Sequence, residues 1–508
     1  MSGVTQGRHH EAPGIGTALL RVAGVLFVGY LAVAIGAGWW QLVQSGPLTD
    51  DPRDPLRAWV DRNVPRGRIL DSRGSVVVGN TSLGDGSRGR RYRFPAMAAV
   101  TGYHSALLGA AGLERTYDLQ LSGMDGLTAG GGALRKLRDQ PYRPVDLVLS
   151  VDARFQQLAA RLLGDRRGAV VAIEPSTGRI LALVSTPTYD PARLVDTSSA
   201  RSYLRRLQAD GDAPLLDRAT QGLYVPGSVF KLVTAVAALG SGAMDARTTF
   251  AEQPAESRRG LRVDGARLRD SPRTVQLDHP LDLSEAMEVS SNVWFARAAL
   301  EAGPEAMVEA ARRLRLDEAF DLGLPMEAGQ VNGEDGSLAG FGSEVELASA
   351  GFGQGEVLVT PLHMAVIAAA IANDGVLMAP SLVDRMEDDD GRRTDQAPRA
   401  LGRVMSSGVA GDIRAAMTQA VEGGFAGPYA GGAKVPGVRT AGKSGTAELA
   451  PGERPHSWFT GFAPAGDPRI AIAVVVENGG AGSAAAVPIG GRLMRAWLER
   501  FDPPGEGR

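Results

Sequence analysis

The sequence predicts an α+β fold: an antiparallel sheet flanked by helices, preceded by a small β-rich module and a single transmembrane helix. Three observations carry this expectation. Strand patterns occur at residues 145–184 and return at 438–476. Most of the sustained apolar periodicity between them is helical, so both ends of one large domain complete a single sheet. Val22–Trp40 carries no charge.

That last run, at ~1.5 Å per residue, spans about 28 Å, close to the ~30 Å hydrocarbon core of a bilayer. Arg8, His9, His10 and Arg21 precede it, and Trp39 and Trp40 stand where an aromatic belt marks the far interface. Residues 1–16 are therefore expected to be a cytoplasmic tail and 17–43 the membrane anchor, with everything beyond 43 exported. Ala32-Val33-Ala34 also fits a signal-peptidase site. The apolar run continues past it, which favours an uncleaved anchor and a single-pass protein of the cell membrane.

The chain has 508 residues, too many for one core, so more than one domain is expected. A net charge of −3 gives no bulk electrostatic reason to bind nucleic acid. The absence of cysteine excludes thiol catalysis, thiolate metal sites and disulfides. The histidines are scattered, with no H-x-x-x-H pair, so neither a metal nor another cofactor is expected.

Residues 44–60 read as a Pro- and Asp-rich linker, and Arg66–Val78 as strand, turn, strand about Asp71–Gly74. With the glycine-rich stretches after it, 44–143 forms the β-rich pedestal. The large domain, 144–502, opens with a strand alternating at Val145, Leu147, Leu149 and Val151. Asp152 caps a helix carrying Phe155, Leu158, Leu162 and Leu163. Ala169–Ile173 and Ile180–Val184 flank a Pro/Gly turn as a buried hairpin. Helices follow over 226–239, 283–314 and 361–373, the last with Thr360 as N-cap and Pro361 at N1. Strands are expected at Val438–Ala447, Trp458–Phe462 and Ile470–Val476, then a final amphipathic helix through Leu493, Trp497 and Phe501, and a short tail, 503–508.

Lys231 is out of place in this pattern. Val229, Phe230, Leu232, Val233, Val236 and Leu239 surround it, and a helix apolar on all sides belongs in a core. A lysine there loses hydration or its proton. Ser228 lies three residues earlier, and a hydroxyl beside a desolvated amine is an activated nucleophile in the making. Ser-x-x-Lys alone is weak, since a lysine can snorkel from a half-buried helix. Ser290-Ser291-Asn292 follows at a helix end, where such residues also serve as caps. Lys443-Ser444-Gly445-Thr446 lies in a late strand, where a glycine is common at an edge. Gly351–Gly355 lacks the spacing of a nucleotide loop and reads as structural.

Taken in order, Ser-x-x-Lys, Ser-x-Asn and Lys-Ser/Thr-Gly resemble the motif set of the penicillin-recognising serine enzymes. Asp217–Ser228, Gly353–Pro361 and Trp458–Pro464 resemble segments of class B penicillin-binding proteins, and Arg66–Asp71 and Gly112–Arg115 resemble motifs of their pedestal. The short pedestal is most similar to the compact type found in actinobacteria. Val225, Val229 and Asp217 depart from that family's usual residues without removing a catalytic group.

The resemblance implies the serine transpeptidase fold, with an all-helical subdomain beside the sheet, and the cross-linking of peptidoglycan stem peptides through an acyl-serine that β-lactams also form. Ser228 would be the nucleophile, Lys231 its base, Lys443 the cation that keeps Lys231 neutral, and Ser290 the proton relay. Asn292 would hold the donor peptide. Ser444 and Thr446 would bind its carboxylate, with Gly445 leaving room for it along the strand. The backbone N–H groups of Ser228 and Thr446 would form the oxyanion hole. A polytopic SEDS-type glycosyltransferase is the implied protein partner. The alternatives are a D,D-carboxypeptidase, a serine β-lactamase, or a non-catalytic scaffold for that glycosyltransferase.

Overall fold

The computed structural model describes residues 15–42, 60, 62–82, 88–125, 142–272, 274–331, 341–388 and 390–502. The first helix runs Ile15–Leu42, and its described large apolar side chains, from Val22 to Val33, are exposed. Among the described residues no helix is long and apolar enough to cross a membrane. The side chains of Trp39 and Trp40, nearly all of the linker 44–60 and the tail 503–508 lie outside the description.

The central sheet has five antiparallel strands in the order Ala441–Ala447, His456–Ala463, Ile470–Val476, Gly168–Ile173 and Ile180–Thr186. The pairing of Ile470–Val476 with Gly168–Ile173 joins the two ends of the domain. Every residue of these two strands is buried, because both sheet faces are covered. Val170, Ile472 and Val474 pack under the helices Ala153–Leu163 and Ala486–Ala496. Val171, Ala473 and Val475 face the other way, into the core that holds the helices Lys231–Gly240 and Pro361–Ala372. Asp152 and Thr360 cap their helices through side-chain oxygens.

The helix expected over 283–314 is two helices, Leu283–Glu288 and Asn292–Arg313, the second kinked at Gly303 before Pro304. The break is built from the chain itself. Asp282 and Glu285 form a capping box on the first helix, Ser290 takes a left-handed φ of 57°, and Ser291 caps the second. The helix expected over 226–239 begins instead as a 3₁₀ turn, Gly227–Phe230, and becomes α-helical at Lys231.

A second, six-stranded sheet carries the N-terminal strands Ile69–Leu70, Val76–Ser82 and Arg88–Tyr92, together with Val145–Leu149, Val383–Asp388 and Arg393–Asp395. Beside it, Glu114 is fully buried and accepts from Arg66 Nε and Arg90 Nε, each at 2.8 Å. Burial alone would raise its pKa. The Arg90 and Arg66 guanidinium groups, with His104, more than offset this and hold Glu114 at about 2.

Candidate active site

The turn Gly227–Phe230 is held from two sides. Gly227 N–H donates to Gly353 O at 2.9 Å, and a Cβ on Gly353 would stand 2.0 Å from Gly227 O. A Cβ on Gly227, whose φ is +54°, would stand 2.7 Å from Thr446 O. The glycine segment 351–355 is thus the backing of the nucleophile turn, and the edge strand Ala441–Ala447 closes its front. In a 3₁₀ turn residues three apart eclipse, which puts Ser228 and Lys231 on one side.

Lys231 is fully buried, and its Nζ lies 2.8 Å from Ser290 O, 3.2 Å from Ser290 Oγ and 2.9 Å from Asn292 Oδ1. The Phe295 ring covers it at 5.4 Å. Lys443 Nζ donates to Ser290 Oγ at 2.8 Å and to Ser444 O at 3.1 Å. Ser290 Oγ lies 3.1 Å from Ser228 Oγ. The structure therefore brings Ser228, Lys231, Ser290, Asn292 and Lys443 together. It routes the contact between Lys231 and Ser228 through Ser290, with no direct hydrogen bond between the two. Burial and then the Lys443 charge push Lys231 well below the usual lysine value, against a smaller opposing pull from Asp270. Burial alone takes Lys443 down to about 7.

Lys443 and Gly445 point towards the nucleophile turn, whereas Ser444 and Thr446 point to the other face of the strand. A Cβ on Gly445 would meet Trp458 Cβ at 2.9 Å and Pro226 O at 3.0 Å, so this position tolerates only glycine. Thr446 Oγ1 accepts from Gly482 N–H at 3.2 Å, which leaves its own O–H free to donate outward. The strand is the edge of the sheet, so an extended peptide can add to it.

Two residues of the site escape sequence reasoning. Asp270 is buried and accepts from Ser291 Oγ at 3.1 Å, from Val293 N–H at 3.0 Å and from Asn292 N–H. It fixes the start of the helix that carries Asn292, while Arg269 O accepts from Asn292 Nδ2 at 3.1 Å. Gly482 is the other. The Asp264-Gly265 turn between Leu261–Val263 and Ala266–Leu268 is a hairpin signal that would have given Asp270 an ordered setting. Nothing in the spacing ties either residue to the three motifs.

Residues 168–495 match the family model of the penicillin binding protein transpeptidase domain. The chain is 32% identical over 509 aligned residues to the peptidoglycan D,D-transpeptidase PbpA of Mycolicibacterium smegmatis, covering 95% of this chain and 99% of that protein. It resembles penicillin-binding protein A from M. tuberculosis solved as its ceftriaxone acyl-enzyme, with a TM-score of 0.76, 31% identity, and coverage of 86% of this chain and 99% of that one. The penicillin G acyl-enzyme of the same protein gives a TM-score of 0.75 at 31% identity, with 85% and 99% covered. The chain belongs to the penicillin-binding protein transpeptidase family.

Proposed function

We propose that this protein is a peptidoglycan D,D-transpeptidase acting through an acyl-enzyme on Ser228. The observation that carries the reading is the half-buried hydrogen-bond path from Ser228 Oγ through Ser290 Oγ to two lysines whose pKa values are both lowered. A serine hydroxyl is a poor nucleophile unless a base stands within reach. A neutral amine has two N–H groups and one lone pair. Ser290 O and Asn292 Oδ1 can only accept, so they take both N–H groups of neutral Lys231 and leave its lone pair facing Ser290 Oγ.

In this reading Ser228 Oγ attacks the penultimate D-Ala carbonyl of a stem peptide, passing its proton to Ser290 as Ser290 passes its own to Lys231. The tetrahedral oxyanion accepts from the N–H groups of Ser228 and Thr446, interactions worth about 3–4 kcal/mol of barrier when a single donor is removed in other acyl-transfer enzymes. The relay runs backwards to protonate the departing D-Ala amine, and the C–N bond breaks. An amine from a second stem peptide then takes the acyl group and restores Ser228. Asn292 keeps one N–H for the donor peptide, and the hydroxyls of Ser444 and Thr446, on the opposite face of the strand from Lys443, take its terminal carboxylate. A β-lactam enters the same path, its ring amide in place of the scissile bond.

The charge-free run Val22–Trp40 and the basic residues before it support a membrane anchor with the catalytic domain outside the cytoplasm. A polytopic SEDS-type glycosyltransferase is the protein partner that the resemblance supports. The test is to supply a stem peptide ending in D-Ala-D-Ala with an amine acceptor and to follow D-Ala release and cross-linked product together. D-Ala release without cross-linked product would make the enzyme a carboxypeptidase. The absence of both would leave the scaffold role.

A further inference from the structure

The hairpin Leu261–Val263/Ala266–Leu268 has two unlike faces. Leu261 and Val263 are buried in the core, whereas Arg262 and Arg267 stand exposed and directly opposite each other across the two strands. Like charges in that position repel. Arg269, also exposed, continues the same side of the strand. The Arg267 stem lies over Gly260, where a Cβ would stand 2.5 Å from its Cγ. Among the described residues none of the three has a carboxylate within ion-pair distance, whereas the neighbouring Arg258 pairs with Asp278 at 3.2 Å and Arg297 with Glu256 at 2.6 Å. On a chain of net charge −3, this is an uncompensated cationic face.

Its position gives it a use. Arg269 O accepts from Asn292 Nδ2, and Asp270 beside it fixes the start of the Asn292 helix, so the strand that carries these arginines ends at the candidate active site. We propose that the arginine face of this hairpin binds the carboxylates of the acyl-acceptor stem peptide and so presents its amine to the acyl-serine. The inference rests on the transpeptidase reading, in which the acceptor is a second peptide ending in a free carboxylate. Guanidinium groups suit that ligand because their planar forks match carboxylates. Continuity with the site favours a peptide over a phospholipid surface as occupant.

The test uses the full-length chain in nanodiscs and the double variant Arg262→Gln/Arg267→Gln. Acylation by benzylpenicillin needs no acceptor and reports on the serine site, where the variant should match wild type within about two-fold. Transfer to an acceptor peptide with a free carboxylate should fall roughly five-fold, through a raised KM for that acceptor, the size expected of two exposed charge contacts. The same acceptor with its carboxylates amidated should show no difference between the proteins. Arg262→Lys/Arg267→Lys, which keeps the charge, should recover most of the transfer.

Equal transfer to the charged acceptor by wild type and the Gln pair would overturn the proposal. So would loss of penicillin acylation in the Gln pair, which would make the hairpin part of the serine site's frame. A difference seen only in nanodiscs containing anionic lipid would overturn it in favour of membrane docking. Failure of wild type itself to form an acyl-serine is a separate result, and it would count against the transpeptidase reading instead.

Discussion

Lys231 and Ser290 meet twice: the lysine Nζ lies 2.8 Å from the serine's backbone carbonyl and 3.2 Å from its hydroxyl. The first contact orients the amine and the second gives it work. Ser290 can present both atoms because its backbone stands in the left-handed region, at φ 57°, between two helices that are each capped. A non-glycine residue held there is strained, and such positions cluster at functional sites.

Replacing the amine should separate chemistry from folding. In Lys231→Met the relay has no base, and acylation by benzylpenicillin should fall by about 10²–10⁴-fold. The variant leaves Ser290 O and Asn292 Oδ1 without a donor but also removes a desolvated amine. The two effects oppose, and stability should change by less than about 2 kcal/mol. Stopped-flow acylation and urea unfolding measure the two halves.

Stability should depend on pH through Lys443. Its folded pKa is about 7, below the ~10.4 of an unfolded lysine. Between those values the unfolded chain holds a proton that the folded chain has released, so stability rises with pH across the window. Below pH 7 Lys443 is charged in both states and the gain is absent. From pH 7 to 9, wild type should gain on the order of 1–2 kcal/mol relative to Lys443→Met in urea unfolding. Parallel pH dependences in the two proteins would argue against a lowered lysine.

Asp270 opposes the loss of the Lys231 proton and caps the Asn292 helix. Asp270→Asn removes the charge but keeps one acceptor. The acid limb of the penicillin acylation profile should therefore move to lower pH, with a loss of about 1 kcal/mol of stability from the weakened cap. A purely structural Asp270 would lower the rate without moving the limb.

Glu114 holds two arginines in a buried site. Glu114→Ala leaves Arg90 without its buried carboxylate and Arg66 with Asp118 alone, and should cost about 3–5 kcal/mol in thermal or urea unfolding. Because the folded pKa is depressed to about 2, the carboxylate's contribution is complete above the unfolded value near 4.3 and disappears as pH falls towards 2.

Much of this was legible in the chain because one-dimensional rules apply to it. The strands Gly168–Ile173 and Ile470–Val476 are buried on both faces and so read as unbroken apolar runs. Lys231 announced itself because it is the one charged residue in the apolar stretch 229–239. Other features depend on contacts far apart in the chain. Ser290-Ser291-Asn292 reads as a helix end, and the structure breaks the 283–314 helix there, but the left-handed backbone of Ser290 is not legible in the chain. Asp270 reads as one more loop carboxylate until Ser291, Asn292 and Val293 are seen to converge on it. The strands Val383–Asp388 and Arg393–Asp395 are mostly polar, the first half-buried and the second exposed, so nothing in their pattern foretells that they extend a sheet begun some three hundred residues earlier.

The three motifs carry Ser228, Ser290 and Ser444 among their hydroxyls. The most direct measurement is peptide mapping by mass spectrometry of the full-length protein after exposure to benzylpenicillin, beside Ser228→Ala. A single penicilloyl adduct on Ser228 in wild type, and none in the variant, is the predicted result. An adduct on Ser290 or Ser444, or one that persists in Ser228→Ala, would contradict the assignment of Ser228 as the nucleophile.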